Sequence, residues 1–366
     1  MRLLTVVGAR PQFVKAAPVS RELARQGLNE ILVHTGQHYD CNMSEQFFRE
    51  LDLPVPRHHL GIGSADHGAQ TGRMLEALET VMLAEKPDAV LVYGDTNSTL
   101  AGALAAAKLN LSGIHIEAGL RSFNRSMPEE INRIVVDHVC GLLLAPTAAA
   151  CSNLRAEGIP ELPKDAGPVQ RRDLGFIRAG DVMKDALLDA AKIAAQSHHP
   201  FPDLPKKQYY LVSIHRPANT DDPQVLGAWI EALKAADLPV VLPLHPRTRA
   251  CAERFQFLER FVPPLRAVEP LGYLAMIAAQ RDAKAILTDS GGVQKEAYLL
   301  GVPCVTLRTE TEWVETLADG WNQLCPSPDL LWNCVARIPG NGVAPAAIFG
   351  EGRISERVVR CIIDWL

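Results

Sequence analysis

The feature that most constrains the fold is a regular alternation of short apolar runs with segments of helical periodicity. Runs such as Ala89–Tyr93 and Leu142–Ala145 are apolar at consecutive positions, which indicates strands buried on both faces. Such strands, joined by helical crossovers, predict an α/β fold built on a doubly wound parallel sheet. The other strands predicted in this first series are Leu3–Val7, Ile31–Thr35 and Gly113–Ile116. The helices predicted between them are Pro18–Gln26, Gln70–Glu85, Ser98–Lys108, Glu129–Val139 and Thr147–Glu157.

A second series of the same kind follows a polar, proline-rich stretch at residues 198–207. A chain of 366 residues is longer than one core usually serves, so two domains are expected, with a hinge near Gly180. The strands predicted in the second series are Tyr209–Ile214, Val240–Leu244, Ala285–Thr288 and Cys304–Thr306. Its clearer predicted helices are Gln224–Ala236, Gly291–Leu299 and Ile354–Leu366.

Charge and cysteine usage exclude several classes of protein. A net charge of −5 argues against broad binding to nucleic acid or to anionic membranes. No early apolar run is long enough for a signal peptide or a membrane span. The eight cysteines include no C-x-x-C pair, which predicts reduced, mostly buried thiols in a cytoplasmic protein. The pairs His58-His59 and His198-His199 are predicted to lie in loops without cysteine partners, so no metal site is predicted.

Polar residues follow nearly every predicted strand. In open parallel sheets, ligands bind beyond the carboxyl ends of the strands. A single glycine, charge or histidine there is usually a turn former or a helix cap, but seven such exits together predict a ligand site. The exits are Gly8-Ala9-Arg10-Pro11, Gly36-Gln37-His38, Gly94-Asp95-Thr96, Glu117-Ala118-Gly119, His215-Arg216, His245-Pro246-Arg247 and Asp289-Ser290-Gly291-Gly292.

The last of these exits suits a phosphate. Gly291 and Gly292 allow close backbone approach, and the following helix presents free N–H groups at its N-terminus. Glu296, one turn later, could accept hydrogen bonds from a ribose or a base. A simple glycine-rich turn before a capped helix explains the segment equally well. Neither G-x-x-x-x-G-K-[ST] nor G-x-G-x-x-G occurs, so neither a P-loop nor a dinucleotide site is predicted.

Three carboxylates of the first series are candidates for acid–base chemistry: Asp95, Glu117 and Glu129. Glu117 lies one residue beyond an apolar strand, where burial would suit it to proton transfer. Glu129 begins a helix, and acids in a first turn also serve simply to complement the helix dipole. His215 follows a strand, where a lone histidine is more often structural than catalytic, so its assignment depends on its companions.

Taken in order, these residues resemble the non-hydrolysing UDP-N-acetylglucosamine 2-epimerase family over essentially the whole chain. The resemblance rests on the Arg10 exit with Lys15, the Asp95 exit, and the motifs that contain Glu117 and His215. It also rests on three longer motifs: Pro128-Glu129-Glu130-x-Asn132-Arg133, Thr288-Asp289-Ser290-Gly291-Gly292-x-Gln294-x-Glu296 and Phe349-Gly350-x-Gly352.

The resemblance implies two Rossmann-like domains of the glycosyltransferase-B type, with parallel sheets facing a cleft that holds the active site. The implied division is residues 1–178, carrying the carboxylates, residues 179–349, binding UDP, and residues 350–366, a helix that packs back on the first domain. Family members are commonly homodimers that act on UDP-linked amino sugars without NAD or a metal. No cofactor, nucleic acid or membrane is therefore expected as a partner.

The family chemistry inverts C2 of the sugar by expelling UDP from C1 and adding it back, which requires a base, an acid and a diphosphate site. By resemblance, Asp95, Glu117 and Glu129 would be the acid–base and positioning carboxylates, and His215 would assist departure of the diphosphate. The residues that would bind UDP or support the site are Arg10, Lys15, Gln70, Arg133, Met276, Ser290, Gly291, Gly292 and Glu296.

Four departures from the commonest family pattern point to a sub-branch. Residues 39–43 are two longer than usual, the loop between Arg121 and Pro128 is two shorter, and Trp313 replaces an arginine. Met276 occupies a position where an aromatic residue often stacks on uracil. In these features the chain resembles enzymes that act on UDP-2,3-diacetamido-2,3-dideoxy-glucuronate in the synthesis of surface polysaccharide such as lipopolysaccharide. A uronate would require an extra cation, for which Arg125 is the candidate by position.

Four other readings stay open at this point. UDP-N-acetylglucosamine itself is the alternative substrate. A glycosyltransferase of the same fold would need an acceptor site and would have no use for three carboxylates. A hydrolysing epimerase and a non-catalytic nucleotide-sugar sensor are the others, and the presence of Asp95, Glu117, Glu129 and His215 argues against the sensor.

Overall fold

The computed structural model describes residues 1–37, 48, 50–162, 174–196, 199–318, 320–338 and 347–366. The chain divides into two units, which we call unit 1 (Met1–Ala186 with Ala347–Leu366) and unit 2 (Leu187–Ala346). The chain therefore passes from one unit to the other after residues 186 and 346. The family resemblance implies domain boundaries after residues 178 and 349.

Unit 1 is built on a seven-stranded sheet in which every pair of neighbouring strands is parallel. Its strands are β1 (Arg2–Val7), β2 (Asn29–His34), β3 (His58–His59), β4 (Ala89–Tyr93), β5 (Ser112–Ile116), β6 (Leu142–Ala145) and β7 (Gly175–Arg178). The order across the sheet is β3-β2-β1-β4-β5-β6-β7, so the winding reverses between β1 and β4. The helices with described bounds in this part of the chain are α1 (Arg10–Arg25), α2 (His67–Glu85), α3 (Asn97–Lys108), α4 (Pro128–Val139), α5 (Ala148–Ala156) and α6 (Met183–Ala195).

Unit 2 repeats the design with a six-stranded parallel sheet. Its strands are β8 (Tyr210–Ser213), β9 (Val240–Pro243), β10 (Leu265–Val268), β11 (Ala285–Thr288), β12 (Cys304–Thr306) and β13 (Asn322–Leu324). The order is β10-β9-β8-β11-β12-β13, and here the winding reverses between β8 and β11. The α-helices are α7 (Pro217–Thr220), α8 (Pro223–Lys234), α9 (Pro246–Arg254), α10 (Tyr273–Asp282), α11 (Gly291–Leu299) and α12 (Leu331–Val335). Short 3₁₀ turns occupy Leu258–Arg260, Val314–Leu317 and Pro328–Leu330.

The last helix, α13 (Ile354–Trp365), returns to unit 1 and packs against α1 and β6. Trp365 lies against Gly141, where a Cβ would come within 2.9 Å of the indole ring. The start of α13 is fixed by Asp185, whose carboxylate accepts hydrogen bonds from the N–H groups of Ile354 and Ser355 at 3.1 and 2.8 Å. A side-chain cap of this kind satisfies N–H groups that a helix leaves without partners.

The predicted doubly wound parallel sheets are confirmed, and two local predictions are wrong. The helix predicted from Pro18 begins at Arg10, because the side-chain oxygen of Gln12 accepts the N–H groups of Gly8 and Ala9 and organises an earlier start. Pro18 therefore lies inside α1. The pair His58-His59 forms the edge strand β3 rather than a loop. His198 lies outside the described residues.

The cores are formed by strands that are buried on both faces of each sheet. In unit 2 one face of the sheet buries Tyr210, Trp229 and Leu287, and the other buries Tyr209, Ile286 and Val302. Seven cysteines are described, all as free thiols, and six of them are buried; Cys41 lies outside the described residues. Among the described helices, none has the length and apolar composition required to cross a bilayer.

Candidate active site

The turn after β4 places Asp95 against a buried arginine. Arg133 on α4, only 2% exposed, donates from Nε and Nη2 to Oδ2 of Asp95 at 3.0 and 2.8 Å. Asn132, its neighbour on α4, donates to the backbone oxygen of Asp95 at 2.8 Å. The Asp95 side chain is 29% exposed. The ion pair therefore holds Asp95 as an oriented carboxylate that solvent or a ligand can still reach.

The turn after β5 presents the second carboxylate, Glu117. Lys15 on α1 donates to Oε1 of Glu117 at 2.5 Å, and both side chains are more than nine-tenths buried. Glu117 has a φ of +74°, a left-handed conformation that is uncommon for a residue with a side chain. Its N–H and that of Ala118 share the carbonyl of Leu144 on β6, both at 3.2 Å, and these bonds hold the turn in that conformation.

Gly94 joins the two turns. Its φ of +62° favours glycine, and a Cβ there would lie 3.3 Å from Nζ of Lys15 and 3.4 Å from Oε1 of Glu117. The residue before Asp95 therefore lies directly against the Lys15–Glu117 pair. The structure thus brings together four predicted site residues: Lys15, Asp95, Glu117 and Arg133.

A chain of amides connects Gln70 to the same cluster. Gln70 on α2 is 5% exposed and accepts a hydrogen bond from Nδ2 of Asn97 at 2.8 Å. Asn132 donates to Oδ1 of Asn97 at 3.2 Å, and it also bonds the backbone of Asp95. Two further predicted residues occupy helix starts: Arg10 is the first residue of α1, and half-buried Glu129 lies in the first turn of α4.

In unit 2, His215 is paired with an aspartate that sequence reasoning did not assign to the site. Nδ1 of His215 lies 3.0 Å from Oδ1 of Asp289, and the His215 side chain is 31% exposed while Asp289 is fully buried. Oδ2 of Asp289 also accepts the backbone N–H groups of His215 and Arg216 at 2.9 and 2.8 Å. Burial alone would raise the pKa of Asp289, but the hydrogen bonds from His215, Arg216 and Asn219 and the charge of His215 lower it to about 2.

The order of strands in the sheet explains why His215 and Asp289 meet. β8 and β11 are adjacent in the sheet, and Ser213 on β8 pairs with Thr288 on β11. Their carboxyl ends meet where the winding reverses, so the residues that follow them, His215 and Asp289, must lie close together. The strand order is a long-range property that the spacing of these residues along the chain does not reveal.

Directly after Asp289, helix α11 begins. Ser290 is its N-cap and accepts the N–H of Val293 at 3.4 Å. A Cβ on Gly291 would lie 2.3 Å from Oε1 of Glu312 and 3.5 Å from Nε1 of Trp313, so a larger residue would require the Glu312 side chain to move. Gly292 is the second residue of the helix. A nine-residue helix that starts in two glycines offers free N–H groups to an anion.

The two remaining predicted residues of unit 2 flank this helix. Glu296, 7% exposed, accepts a hydrogen bond from Nε2 of Gln280 on α10 at 2.6 Å. Met276, on the same helix α10, is partly buried against the core. Trp313, which replaces the expected arginine, is buried and lies under Nζ of Lys295, 4.0 Å from the ring centroid. The longer loop at residues 39–43 lies outside the described residues.

Two Rossmann-like parallel sheets, each with polar residues at the exits near the reversal of strand order, define the class: a two-unit doubly wound α/β protein. The family model described as UDP-N-acetylglucosamine 2-epimerase matches residues 21–363. The chain belongs to that family.

The relatives that it resembles span the whole chain. It is 47% identical over 368 residues to a UDP-N-acetylglucosamine 2-epimerase homolog of Methanococcus maripaludis, covering 99% of each chain. It is 46% identical over 365 residues to the UDP-2,3-diacetamido-2,3-dideoxy-D-glucuronate 2-epimerase of Pseudomonas aeruginosa, covering 98% of each. Among solved structures, the Methanocaldococcus jannaschii UDP-GlcNAc 2-epimerase in complex with UDP-GlcNAc and UDP matches with a TM-score of 0.90 and 39% identity over 99% of both chains.

Proposed function

We propose that the protein is a non-hydrolysing epimerase that inverts C2 of a UDP-linked 2-acetamido sugar by eliminating UDP and adding it back. The observation that carries this proposal is the pair of oriented carboxylates, Asp95 and Glu117, on neighbouring strand exits of unit 1. Each is held by a buried cation, Arg133 or Lys15. Proton transfer at carbon requires such fixed groups at known positions.

Elimination explains why the reaction would need this set of residues. C2 is not beside a carbonyl, so a carboxylate could not remove its proton to leave a free carbanion. When the C2–H bond breaks, its electron pair forms the C1–C2 double bond, and the C1–O bond breaks with its electrons on the departing UDP. The products are a 2-acetamidoglucal and UDP. Return of UDP to C1, with a proton delivered to the opposite face of C2, yields the inverted sugar.

In this scheme Asp95, Glu117 and Glu129 are the acid–base and positioning carboxylates. Lys15 and Arg133 keep Glu117 and Asp95 in place, and Gln70 supports the cluster through Asn97. In unit 2, His215 would contact the diphosphate and assist its departure, with Asp289 fixing the ring. The residues proposed to bind UDP are Arg10, Met276, Ser290, Gly291, Gly292 and Glu296.

Incubation with substrate in D2O tests the reaction. Deuterium at C2 of a product that still carries UDP supports the proposal, because C2 exchanges only if its bond to hydrogen breaks. Free N-acetylmannosamine would instead indicate a hydrolysing epimerase. Absence of exchange with every UDP-2-acetamido sugar tried would overturn the proposal.

We propose further that the substrate is the UDP-linked diacetamido glucuronate, used for surface polysaccharide, rather than UDP-N-acetylglucosamine. The support is the 46% identity to an enzyme of that name and the loop that follows Glu117. Glu130 accepts the N–H groups of Ser122 and Phe123 at 2.9 and 3.0 Å and so fixes the loop to α4. Arg125 is exposed in this loop, where its guanidinium could bind a uronate.

Measurement of kcat/KM on the two substrates tests this choice. Arg125→Gln should reduce kcat/KM for the uronate about 10- to 100-fold, the range for one charge-assisted hydrogen bond, and leave UDP-N-acetylglucosamine unaffected. Arg155→Gln is the matched control, since Arg155 is an exposed residue paired with Glu161. Equal losses on both substrates would contradict a carboxylate-binding role for Arg125.

The assembly and location of the protein are proposals that rest on the family resemblance: a homodimer in the cytoplasm. The free thiols of the described cysteines agree with a reducing compartment. Light scattering of the purified protein tests the dimer, and a monomer at micromolar concentration would contradict it. We also propose that residues 1–178 form the domain that carries the carboxylates and that residues 179–349 form the UDP-binding domain. Residues 350–366 form the helix that packs back on the first domain.

A further inference from the structure

The imidazole of His115 lies in the interior of unit 1 and contacts two acceptors. His115 is on β5, two residues before Glu117, and is 0% exposed. Nδ1 lies 2.7 Å from Oδ1 of Asp137, and Nε2 lies 2.8 Å from the carbonyl oxygen of Gly94. A carboxylate oxygen and a peptide carbonyl can only accept hydrogen bonds, provided that the carboxylate is ionised.

We infer that His115 is held as the imidazolium ion and is the positioning residue that fixes Asp95 and Glu117 relative to each other. Both ring nitrogens must carry a hydrogen if both contacts are hydrogen bonds. In a neutral ring one nitrogen lone pair would face an acceptor lone pair, and one of the two buried contacts would be lost.

Neighbouring charges compensate the buried cation. Oδ2 of Asp137 accepts the N–H of Gly119 at 3.0 Å and Nη1 of Arg121 at 2.8 Å. Arg121 also donates from Nε and Nη2 to the two oxygens of Glu157, at 2.7 and 2.8 Å. Two cations thus face two carboxylates, and this pairing offsets the desolvation cost of burying His115 as a cation.

The pKa of Asp137 agrees with an ionised carboxylate in this network. Burial alone would raise the pKa of Asp137, but hydrogen bonds and charge from His115 and Arg121 lower it below its ordinary value. Asp137 is therefore an acceptor at both oxygens, as the two contacts with His115 and Arg121 require.

The backbone on either side of the two carboxylates explains why the ring acts as a positioning group. The Gly94 carbonyl belongs to the peptide that leads into Asp95, so its bond to His115 fixes the orientation of that peptide plane. The preceding carbonyl, of Tyr93, accepts hydrogen bonds from Gln12 and Thr99 at 3.0 and 2.6 Å. Two consecutive carbonyls before Asp95 are thus held by buried side chains.

Glu117 is held from both sides by the same carboxylate. His115, before it, binds one oxygen of Asp137, and the N–H of Gly119, after it, binds the other. Glu117 lies between these two anchors in its left-handed conformation. A single imidazolium–carboxylate pair therefore links the Asp95 turn with the Glu117 turn, and loss of the ring would remove that link.

His115→Gln tests the positioning role, and this kinetic test rests on the proposed epimerase activity. We expect kcat to fall about 100-fold, because a displacement of about 1 Å in reacting groups has that effect, while KM changes by less than about threefold. Val90→Ala is the matched control: it opens a cavity in β4, lowers the Tm and should leave kcat unchanged well below the Tm. An unchanged kcat in His115→Gln would overturn the positioning role.

The protonation state is tested without substrate, by NMR of the full-length protein labelled with ¹⁵N-histidine at pH 7.5. His115→Gln assigns the signal by its loss. Two protonated ring nitrogens are the expected result, and a single unprotonated nitrogen at His115 would overturn the inference. Absence of turnover in the wild-type enzyme would instead count against the proposed function, because the NMR measurement does not depend on it.

Discussion

Unit 1 and unit 2 share one architecture but hold their charged groups by different means. In unit 1 the carboxylates Asp95 and Glu117 are paired with buried cations from α4 and α1. In unit 2 the corresponding exit carries two glycines and a helix N-terminus beside the His215–Asp289 pair. Side-chain pairs suit groups that must be held in fixed positions, whereas backbone N–H groups at a helix N-terminus suit a bound anion. In the proposed function, this difference assigns proton transfer to unit 1 and diphosphate binding to unit 2.

The largest test of this comparison lies in unit 1. Glu117→Gln or Asp95→Asn keeps the size of the side chain but removes its proton-accepting charge, so C2 exchange should fall about 10³-fold or more. Calorimetry should show UDP binding changed by less than about threefold, because these groups are not expected to hold the diphosphate. Asp88→Asn, at an exposed aspartate bonded to the N-terminal strand, is the control. Near-normal exchange in Glu117→Gln would remove it from the acid–base set.

A smaller effect is expected from the partner of His215. Asp289→Asn leaves an isosteric group but removes the charge that orients the ring, so kcat should fall about 100-fold, the order of one acid–base contribution. Stopped-flow or coupled assays of turnover give the measurement. Asp221→Asn, which disrupts an exposed ion pair with Arg247 in the same unit, should retain full activity. If Asp289→Asn were fully active, the ring would not depend on this carboxylate.

Acid unfolding provides a third test, on the same residue. The pKa of Asp289 is about 2 in the folded protein against an ordinary value of 3.8, so the folded form binds the proton less tightly. The resulting stabilisation of about 2 kcal/mol is present above about pH 5 and is lost as the pH falls through 4 towards 2. Urea unfolding of wild type and Asp289→Asn at pH 7, 5 and 3.5 should show their difference shrinking with acidity. A difference independent of pH would contradict the assignment.

The smallest predicted effect concerns the helix N-terminus of unit 2. In Gly291→Ala the new methyl group would meet Glu312, so the Kd for UDP should rise about 10-fold, equivalent to about 1.4 kcal/mol of overpacking. Exchange at saturating substrate should change less than in the unit 1 variants. Gly72→Ala, where a Cβ meets nothing within 4 Å, is the control. Unchanged UDP affinity would contradict diphosphate binding at the N-terminus of this helix.

The sequence predicts the central strands well because burial on both faces leaves a clear pattern. The predicted bounds of Ala89–Tyr93, Leu142–Ala145, Ala285–Thr288 and Cys304–Thr306 agree with the structure. All four missed strands lie at the edges of the two sheets: β3, β7, β10 and β13. Edge strands are short and carry polar residues, as Arg178 and Arg266 illustrate, so their apolar signal is weak.

For the candidate site, the sequence predicts individual residues but not the contacts between them. Residues at strand exits could be found, because a parallel sheet places them at one edge. The pairing of Asp289 with His215 and of Asp137 with His115 could not be predicted, since each pair depends on which strands and helices become neighbours. The roles of these predicted residues stay predictions until the variants are measured.

The return of α13 to unit 1 has a consequence for the order of folding during synthesis. Ile354, Val358, Val359, Ile362 and Trp365 are all buried there, yet they are translated after the whole of unit 2. A ribosome that has made residues 1–186 has therefore not yet supplied one layer of the core that covers α1 and β6. The core of unit 2 is thus fully translated before that of unit 1, which is complete only when residues 347–366 have emerged.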